Sequence, residues 1–337
     1  MKKYNLAVVG VGAVGIEMLR CLRKRHFPIN KLRVFARSSR DIKVDGKIYS
    51  VKAISPEGFS GIDIALFAGT EGEKGAAVTY APEAIKRGAV VIDNGADFRM
   101  KKGVPLIIPE VNAQDIKNHK GIIANPNCST IQMVIALSPI HNKLGIKRVI
   151  AVTFQAASGA GRAAVEQLKQ ENSIIASSDY QDLHVDSKNR AMPQQLAYNV
   201  FPHIGGFQRG DYTSEEWKMV SETHKIMHDS RIKISATCVR VPVRTGHSEA
   251  IYIETKKPAS PEMVRSIFFR AKGIKIIDKP QDNLYPLPLD CEGRDEVFIG
   301  RIRKDPFINN GLWLWVASDN LLKGAALNAI QIAELLI

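Results

Sequence analysis

The run Asn125-Pro126-Asn127-Cys128-Ser129-Thr130 follows a short apolar stretch and precedes residues that recur at helical spacing. That order sets Cys128 at a helix N-terminus, where free amides and the helix dipole favour a thiolate over a thiol. A thiolate that forms an acyl intermediate needs a proton-transfer partner, most often a histidine. Among the 8 histidines, His247 stands apart: it lies in Arg240-Val241-Pro242-Val243-Arg244-Thr245-Gly246-His247-Ser248, where Pro242 and Gly246 break a strand pattern and form a loop able to present a side chain. His26, His119, His141, His224 and His228 sit in polar or helix-end surroundings and read as surface residues. Cys21, Cys238 and Cys291 read as small buried hydrophobes. The 4 cysteines are far apart and show no CxxC or metal-ligand spacing, so no disulfide framework and no metal site is expected.

Anion-binding chemistry surrounds this pair. Arg240 continues the alternation Ile232, Ile234, Ala236, Cys238 and so points to the same inner face, where a cation wants an anion, either a ligand or a structural partner. Glu215 and Lys218, three apart on one helix, read by themselves as a surface ion pair. Arg99 follows the loop Asp93-Asn94-Gly95-Ala96-Asp97 beyond a strand end and reads as a phosphate clamp. Gln155 and the small run Ser158-Gly159-Ala160-Gly161 follow another strand, where backbone amides can approach a cofactor. Gly10-Val11-Gly12-Ala13-Val14-Gly15 is a GxGxxG between a strand and a helix, the turn that brings a pyrophosphate to a helix N-terminus. At the end of the next strand, where an NAD-preferring site carries an acid, stands Arg37-Ser38-Ser39-Arg40; two cations and two hydroxyls suit a 2′-phosphate, hence NADP.

The elements that must hold these groups follow from periodicity. Apolar runs at residues 4–9, 32–36, 62–68, 89–92 and 121–124, with helical patterns at 13–25 and 80–87, read as buried parallel strands and their crossovers. They predict a doubly wound α/β (Rossmann) domain. Beyond it, helices at 129–142, 214–228 and 261–271 and strands at 147–154, 231–241, 250–255 and 296–303 predict a mixed α+β domain, interrupted by a polar, aperiodic stretch at 170–210. Residues 321–337 read as an amphipathic helix returning to the first domain. The expected division is 1–127 with 321–337 as dinucleotide-binding domain and 128–320 as catalytic and dimerisation domain. The 337 residues, 45% hydrophobic and 24% charged, exclude disorder and fibrous classes, while a net charge of +13 favours anionic partners. The opening run is too short and Gly-rich for a signal peptide, and no run reaches a membrane span, so a soluble cytoplasmic protein is expected. Charges are scattered and aromatics are 7%, which argues against nucleic acid.

Taken together, the glycine loop, ARSSR, DNGADFR, PEVN, NPNCST, FQAASGAGR, EEWK, RVPVRTGH and SDNLLKGAA resemble the aspartate-semialdehyde dehydrogenases over the whole chain. The resemblance implies interconversion of aspartyl phosphate and aspartate semialdehyde with NADP and phosphate, in lysine, threonine and methionine biosynthesis, by a homodimer or homotetramer. It implies Cys128 as acylated nucleophile, His247 as acid/base and Gln155 as orienting group. Arg240 would bind the substrate carboxylate, Glu215 its amino group, and Arg99, Asn127 and Lys218 the phosphate. Gly10, Gly12, Ala13, Val14, Arg37, Ser38, Ser39, Ser158, Gly159 and Asn320 would contact the cofactor. Two departures bear on NADP preference: the glycine loop spans six residues where the family usually has seven, and Glu71 brings an acid into a segment expected to be small. The nearest alternative is N-acetyl-γ-glutamyl-phosphate reductase, whose nucleophile motif typically reads NPGCY; Asn127 and Ser129 argue against it. A catalytically silent paralogue is disfavoured by the joint presence of Cys128, Gln155, Arg240 and His247.

Overall fold

The computed structural model describes residues 2–69, 72, 75–178, 183–185 and 190–337. Glu71, expected near the cofactor, lies outside the described residues, as do residues 179–182 and 186–189 of the polar stretch. The described residues form two compact units, residues 1–127 with 324–337 and residues 128–323.

In the first unit β1 (Tyr4–Val9) is the central strand, its last four residues buried as an apolar run must be when both faces are covered. It pairs in parallel with β2 (Ile29–Ala36), and α1 (Ala13–Lys24) makes the crossover, burying Met18, Leu19, Cys21 and Leu22 along one stripe. The chain then forms the hairpin β3 (Arg40–Val44) and β4 (Lys47–Ala53), turning at Asp45-Gly46, where both residues have positive φ. It returns to the other side of β1 through β5 (Ile64–Phe67), α2 (Ala76–Lys86), β6 (Val90–Asp93), the short α3 (Pro109–Asn112) and β7 (Ile122–Ala124). The resulting order β3-β4-β2-β1-β5-β6-β7 changes direction at β1, the topological switch beyond which such sheets bind ligands.

The second unit opens with α4 (Cys128–Leu144), apolar almost all round and buried accordingly. It packs on a sheet of order β11-β12-β13-β10-β8-β9, built from β8 (Ile146–Gln155), β9 (Lys233–Arg240), β10 (His247–Thr255), β11 (Ile274–Ile276), β12 (Val297–Lys304) and β13 (Gly311–Ser318). Between strands lie α5 (Arg162–Ser177), α6 (Ser214–Met227), α7 (Pro261–Phe269) and the short α8 (Pro288–Cys291). β8 and β9 are parallel, whereas β10 runs antiparallel to β8 and β13, so the sheet is mixed. A π turn over Leu322–Ala326 leads into α9 (Leu327–Glu334), which packs on α1, α3 and β6. Arg25 clasps Glu334 with two hydrogen bonds of 2.6 and 2.7 Å.

Four elements correct the periodicity. The β3–β4 hairpin and β13 were hidden in irregular or wholly apolar patterns, and α5 runs into the stretch that reads as aperiodic. The final segment is not a plain amphipathic helix: it starts as a π turn, and Leu327, Asn328, Ala329, Ile330, Ile332 and Ala333 are buried, leaving almost no solvent face.

Candidate active site

Cys128 is the first residue of α4 and is half-buried, while Cys21, Cys238 and Cys291 are buried. The strands behind α4 bring the other singled-out groups together in the second unit. Gln155 ends β8 and Arg240 ends its parallel neighbour β9 in register with it. His247 does not lie on a loop: it opens β10 and is fully buried, because Gly246, with φ +93, completes the turn one residue earlier.

Backbone contacts orient these side chains. The Ala156 amide donates to His247 Nδ1 at 3.1 Å, so the neutral ring carries its hydrogen on Nε2, which is buried without a hydrogen-bond partner among the described residues. Arg240 Nη1 donates to the Ala156 carbonyl and reaches the Gln155 carbonyl at 3.4 Å, leaving its buried Nε without a hydrogen-bond partner among the described residues. A methyl group added at Gly159 would stand 3.0 Å from His247 Nε2 and 3.2 Å from Arg240 Nη1, so the glycine floor, the imidazole and the guanidinium converge. Burial first, and then the Arg240 charge, pull the His247 imidazole down to about 3, so it is neutral at pH 7. Burial also lowers Arg240, while negative charge on Cys128 and Glu215 counters it.

Glu215 and Lys218 are not a surface pair. Glu215 is buried in the first turn of α6, and Gln155 Nε2 donates to its Oε1 at 3.1 Å while Lys218 Nζ stands 3.4 Å from Oε2. Thr153 Oγ1 in turn donates to Gln155 Oε1 at 3.0 Å, so the amide is held at both ends. The helix start is fixed by a capping box in which Thr213 and Glu216 bond each other's backbone, and Glu216 also accepts the Cys238 amide at 3.0 Å. Ser158 and Asn320 are buried and mutually bonded at 3.0 to 3.1 Å, and Asn320 Oδ1 accepts the Gly246 amide at 2.9 Å. Of the remaining histidines, His26 and His228 are exposed, whereas His119, His141 and His224 are half-buried rather than on the surface; His141 Nδ1 accepts the Ile146 amide.

The first unit carries the other expected contacts. Gly10 follows β1 with φ +98, and a Cβ there would meet the Ala68 carbonyl oxygen at 2.6 Å. A Cβ on Gly15 would meet the Gly10 carbonyl oxygen at 1.9 Å, whereas Gly12 faces open space and caps α1 with no side-chain hydrogen bond. The amides of Ala13 and Val14 in that first helical turn therefore border an open cradle of the kind a pyrophosphate fills. Arg37, Ser38 and Ser39 are exposed beyond β2; Arg40 opens β3 and reaches Ser38, and the Ser39 hydroxyl accepts the Ala53 amide at 2.9 Å. Arg99 is buried, donating to the carbonyls of Asn125 at 2.9 Å and Asn94 at 2.7 Å, and Asn127 is buried too.

Residues 5–119 match the family model of the semialdehyde dehydrogenase NAD binding domain, and residues 137–323 that of its dimerisation domain. Over 342 residues the chain is 51% identical to aspartate-semialdehyde dehydrogenase of Aquifex aeolicus (strain VF5), covering 99% of this chain and 98% of the relative. The chain belongs to the aspartate-semialdehyde dehydrogenase family. It is 47% identical to the aspartate-semialdehyde dehydrogenase of Bacillus subtilis (strain 168), over 98% of this chain and 96% of the relative. The crystal structure of aspartate semialdehyde dehydrogenase II complexed with ASA from Vibrio cholerae has a TM-score of 0.93 at 39% identity, covering 100% of this chain and 98% of that one. As an aspartate-semialdehyde dehydrogenase family member the chain is a nicotinamide-dependent oxidoreductase of the phosphorylating aldehyde dehydrogenase type, with a mixed dimerisation domain. These relatives carry the aspartate-semialdehyde name, so the N-acetyl-γ-glutamyl-phosphate alternative is not favoured. No helix among the described residues is long and apolar enough to cross a membrane.

Sequence reasoning missed two buried groups on the strands that carry this constellation. Thr153 faces Gln155 along β8 and carries no motif signal of its own. Glu249 had one: it shares the His247, Ile251, Ile253 alternation, so an acid stands on an inward face.

Proposed function

We propose that this chain interconverts aspartyl phosphate and aspartate semialdehyde through an acyl-thioester on Cys128, using NADP and phosphate. The observation that carries the reading is the convergence of His247 and Arg240 at the Gly159 floor, in the unit whose first helix begins at Cys128. In the oxidative direction the Cys128 thiolate adds to the aldehyde carbon, and the carbonyl oxygen becomes the oxyanion of a hemithioacetal. Loss of hydride from this carbon, for which a bound nicotinamide would supply the acceptor, would leave a thioester. A phosphate oxygen then attacks the acyl carbon and the thiolate departs, giving the acyl phosphate. Placement at a helix N-terminus supports a standing thiolate.

His247 is the acid/base of this reading, its Nε2–H set to hydrogen-bond the substrate oxygen as negative charge develops there while Ala156 fixes the ring. Gln155 orients the acyl group, Arg240 holds the α-carboxylate and Glu215 the α-amino group. Arg99, Asn127 and Lys218 hold the phosphate. For the cofactor, Gly10, Gly12, Ala13 and Val14 fit the pyrophosphate, Arg37, Ser38 and Ser39 the 2′-phosphate, and Ser158, Gly159 and Asn320 the nicotinamide end. The exposed basic, hydroxyl-rich loop after β2 supports NADP over NAD. The dimerisation-domain match supports a homodimer or homotetramer, acting in the cytoplasm in lysine, threonine and methionine biosynthesis.

The test is absorbance at the nicotinamide band with aspartate semialdehyde and NADP, with and without phosphate, beside Cys128→Ala. Phosphate-dependent reduction that disappears in the variant is expected. A folded, NADP-binding protein with no turnover would overturn the reading.

A further inference from the structure

Glu249 is fully buried on β10 with neither carboxylate oxygen hydrogen-bonded among the described residues. Its register partners are Thr153 on β8 and Val316 on β13, and Thr153 is paired with Cys238 on β9, so all three strands show it side chains without positive charge. From above comes α4, which packs on β8, β10 and β13 and carries Gln132 one turn after Cys128. Gln132 is also fully buried; its Oε1 accepts the Ser318 hydroxyl at 2.6 Å, and its Nε2 makes no full hydrogen bond among the described residues. Ser318 is the register partner of His247.

A buried carboxyl and a buried amide nitrogen, neither fully hydrogen-bonded among the described residues, on the two elements that carry the nucleophile and the histidine, are unusual enough to require an explanation. We propose that Glu249 is a positioning residue for the thioester chemistry: its carboxyl and the Gln132 amide form a buried bridge that pins the first turn of α4, and so Cys128, to β10, and so His247.

The chemistry of the pocket fixes the form of the bridge. Burial drives the Glu249 carboxyl well above the ordinary carboxylate range, and the Gln132 amide tempers that shift without reaching a full hydrogen bond. Cys238, which Glu249 would push further towards the thiol, is the titratable group answering it from β9. Burial thus favours the protonated acid, whose O–H and C=O can serve the bridge as an amide would. Glu249→Gln preserves that role, whereas Glu249→Leu fills the same space and removes it. Burying a polar group without full hydrogen bonds costs free energy that an apolar residue of similar size does not, so a merely structural role predicts a healthy leucine variant.

The inference rests on the thioester reading above, and the experiment separates the two. Full-length wild type, Glu249→Gln, Glu249→Leu and Gln132→Leu are compared for turnover of aspartate semialdehyde with NADP and phosphate, for KM, for Tm, and for the rate of Cys128 alkylation by iodoacetamide. Labelling is selective because the other cysteines are buried. Expected is a fall in kcat of about ten-fold or more in both leucine variants, with KM and Tm close to wild type, alkylation slowed about ten-fold, and Glu249→Gln near wild type. Wild-type turnover and alkylation in Glu249→Leu, or equal impairment in Glu249→Gln and Glu249→Leu, would overturn the bridge. Should Glu249→Leu fail to fold, Gln132→Leu decides alone: wild-type rates there overturn the proposal. If the wild-type protein does not turn over, the reaction reading falls, and the alkylation rates still decide the bridge.

Discussion

The Ala156 amide donates to His247 Nδ1, and taking up a second ring proton would set N–H against N–H at 3.1 Å. Burial and Arg240 add to that cost, which is why the imidazole is pulled down to about 3. A histidine lowered from its ordinary value near 6.5 contributes stability that is intact above that pH and lost as pH falls towards 3, because the unfolded chain takes up the proton first. Wild type should therefore lose roughly 3 kcal/mol by pH 4 from this group, and chemical denaturation of His247→Asn should show a flatter decline over the same range. The glycine floor is equally specific. Gly159→Ala sets a methyl against both His247 Nε2 and Arg240 Nη1, so kcat/KM should fall about ten-fold with little change in Tm. An unaltered kcat/KM would mean the two side chains retreat without consequence.

At the scale of elements, α6 acts as a bracket. Its capping box fixes the turn that carries Glu215, and Glu216 extends the same bond set to the β9 backbone at Cys238. Thr213→Ala should cost about 1 kcal/mol in denaturant unfolding and raise KM for the semialdehyde more than it lowers kcat, since Glu215 would lose its seat. Elements that position the site were legible where period and punctuation agreed: β1, the glycine turn and α1 follow one another as the apolar run and GxGxxG require. Those missed had conflicting signals. Asp45-Gly46 is a hairpin turn, but the strands beside it alternate Lys and Arg with only Ile42, Val44, Tyr49 and Val51 as an inner set. β13 alternates too little, because Leu312, Leu314 and Val316 face the core while Trp313 and Trp315 pack at a tilt against Tyr252 and Phe154 on the other side. Burial of His247 was illegible for a related reason: Pro242 and Gly246 announced a loop, and the sequence does not say at which residue that loop ends.

At the scale of the whole molecule, a net charge of +13 acts on every anion that approaches. With screening length falling from about 10 Å at 0.1 M salt to about 3 Å at 1 M, KM for phosphate should rise over that range while kcat changes little; a flat KM would leave binding to the buried cations alone. One further property follows from α9. The first unit is sewn from both ends of the described chain, with α9 seated on α1 and β6 and Glu334 clasped by Arg25. During synthesis its sheet emerges early but its last helix comes only after the whole of the second unit. At ribosomal speed that interval is roughly ten to forty seconds. For that time the faces of α1 and β6 that receive α9 stand uncovered, so the nascent cofactor-binding half must wait, exposed to chaperones and proteases, for a segment made long after it.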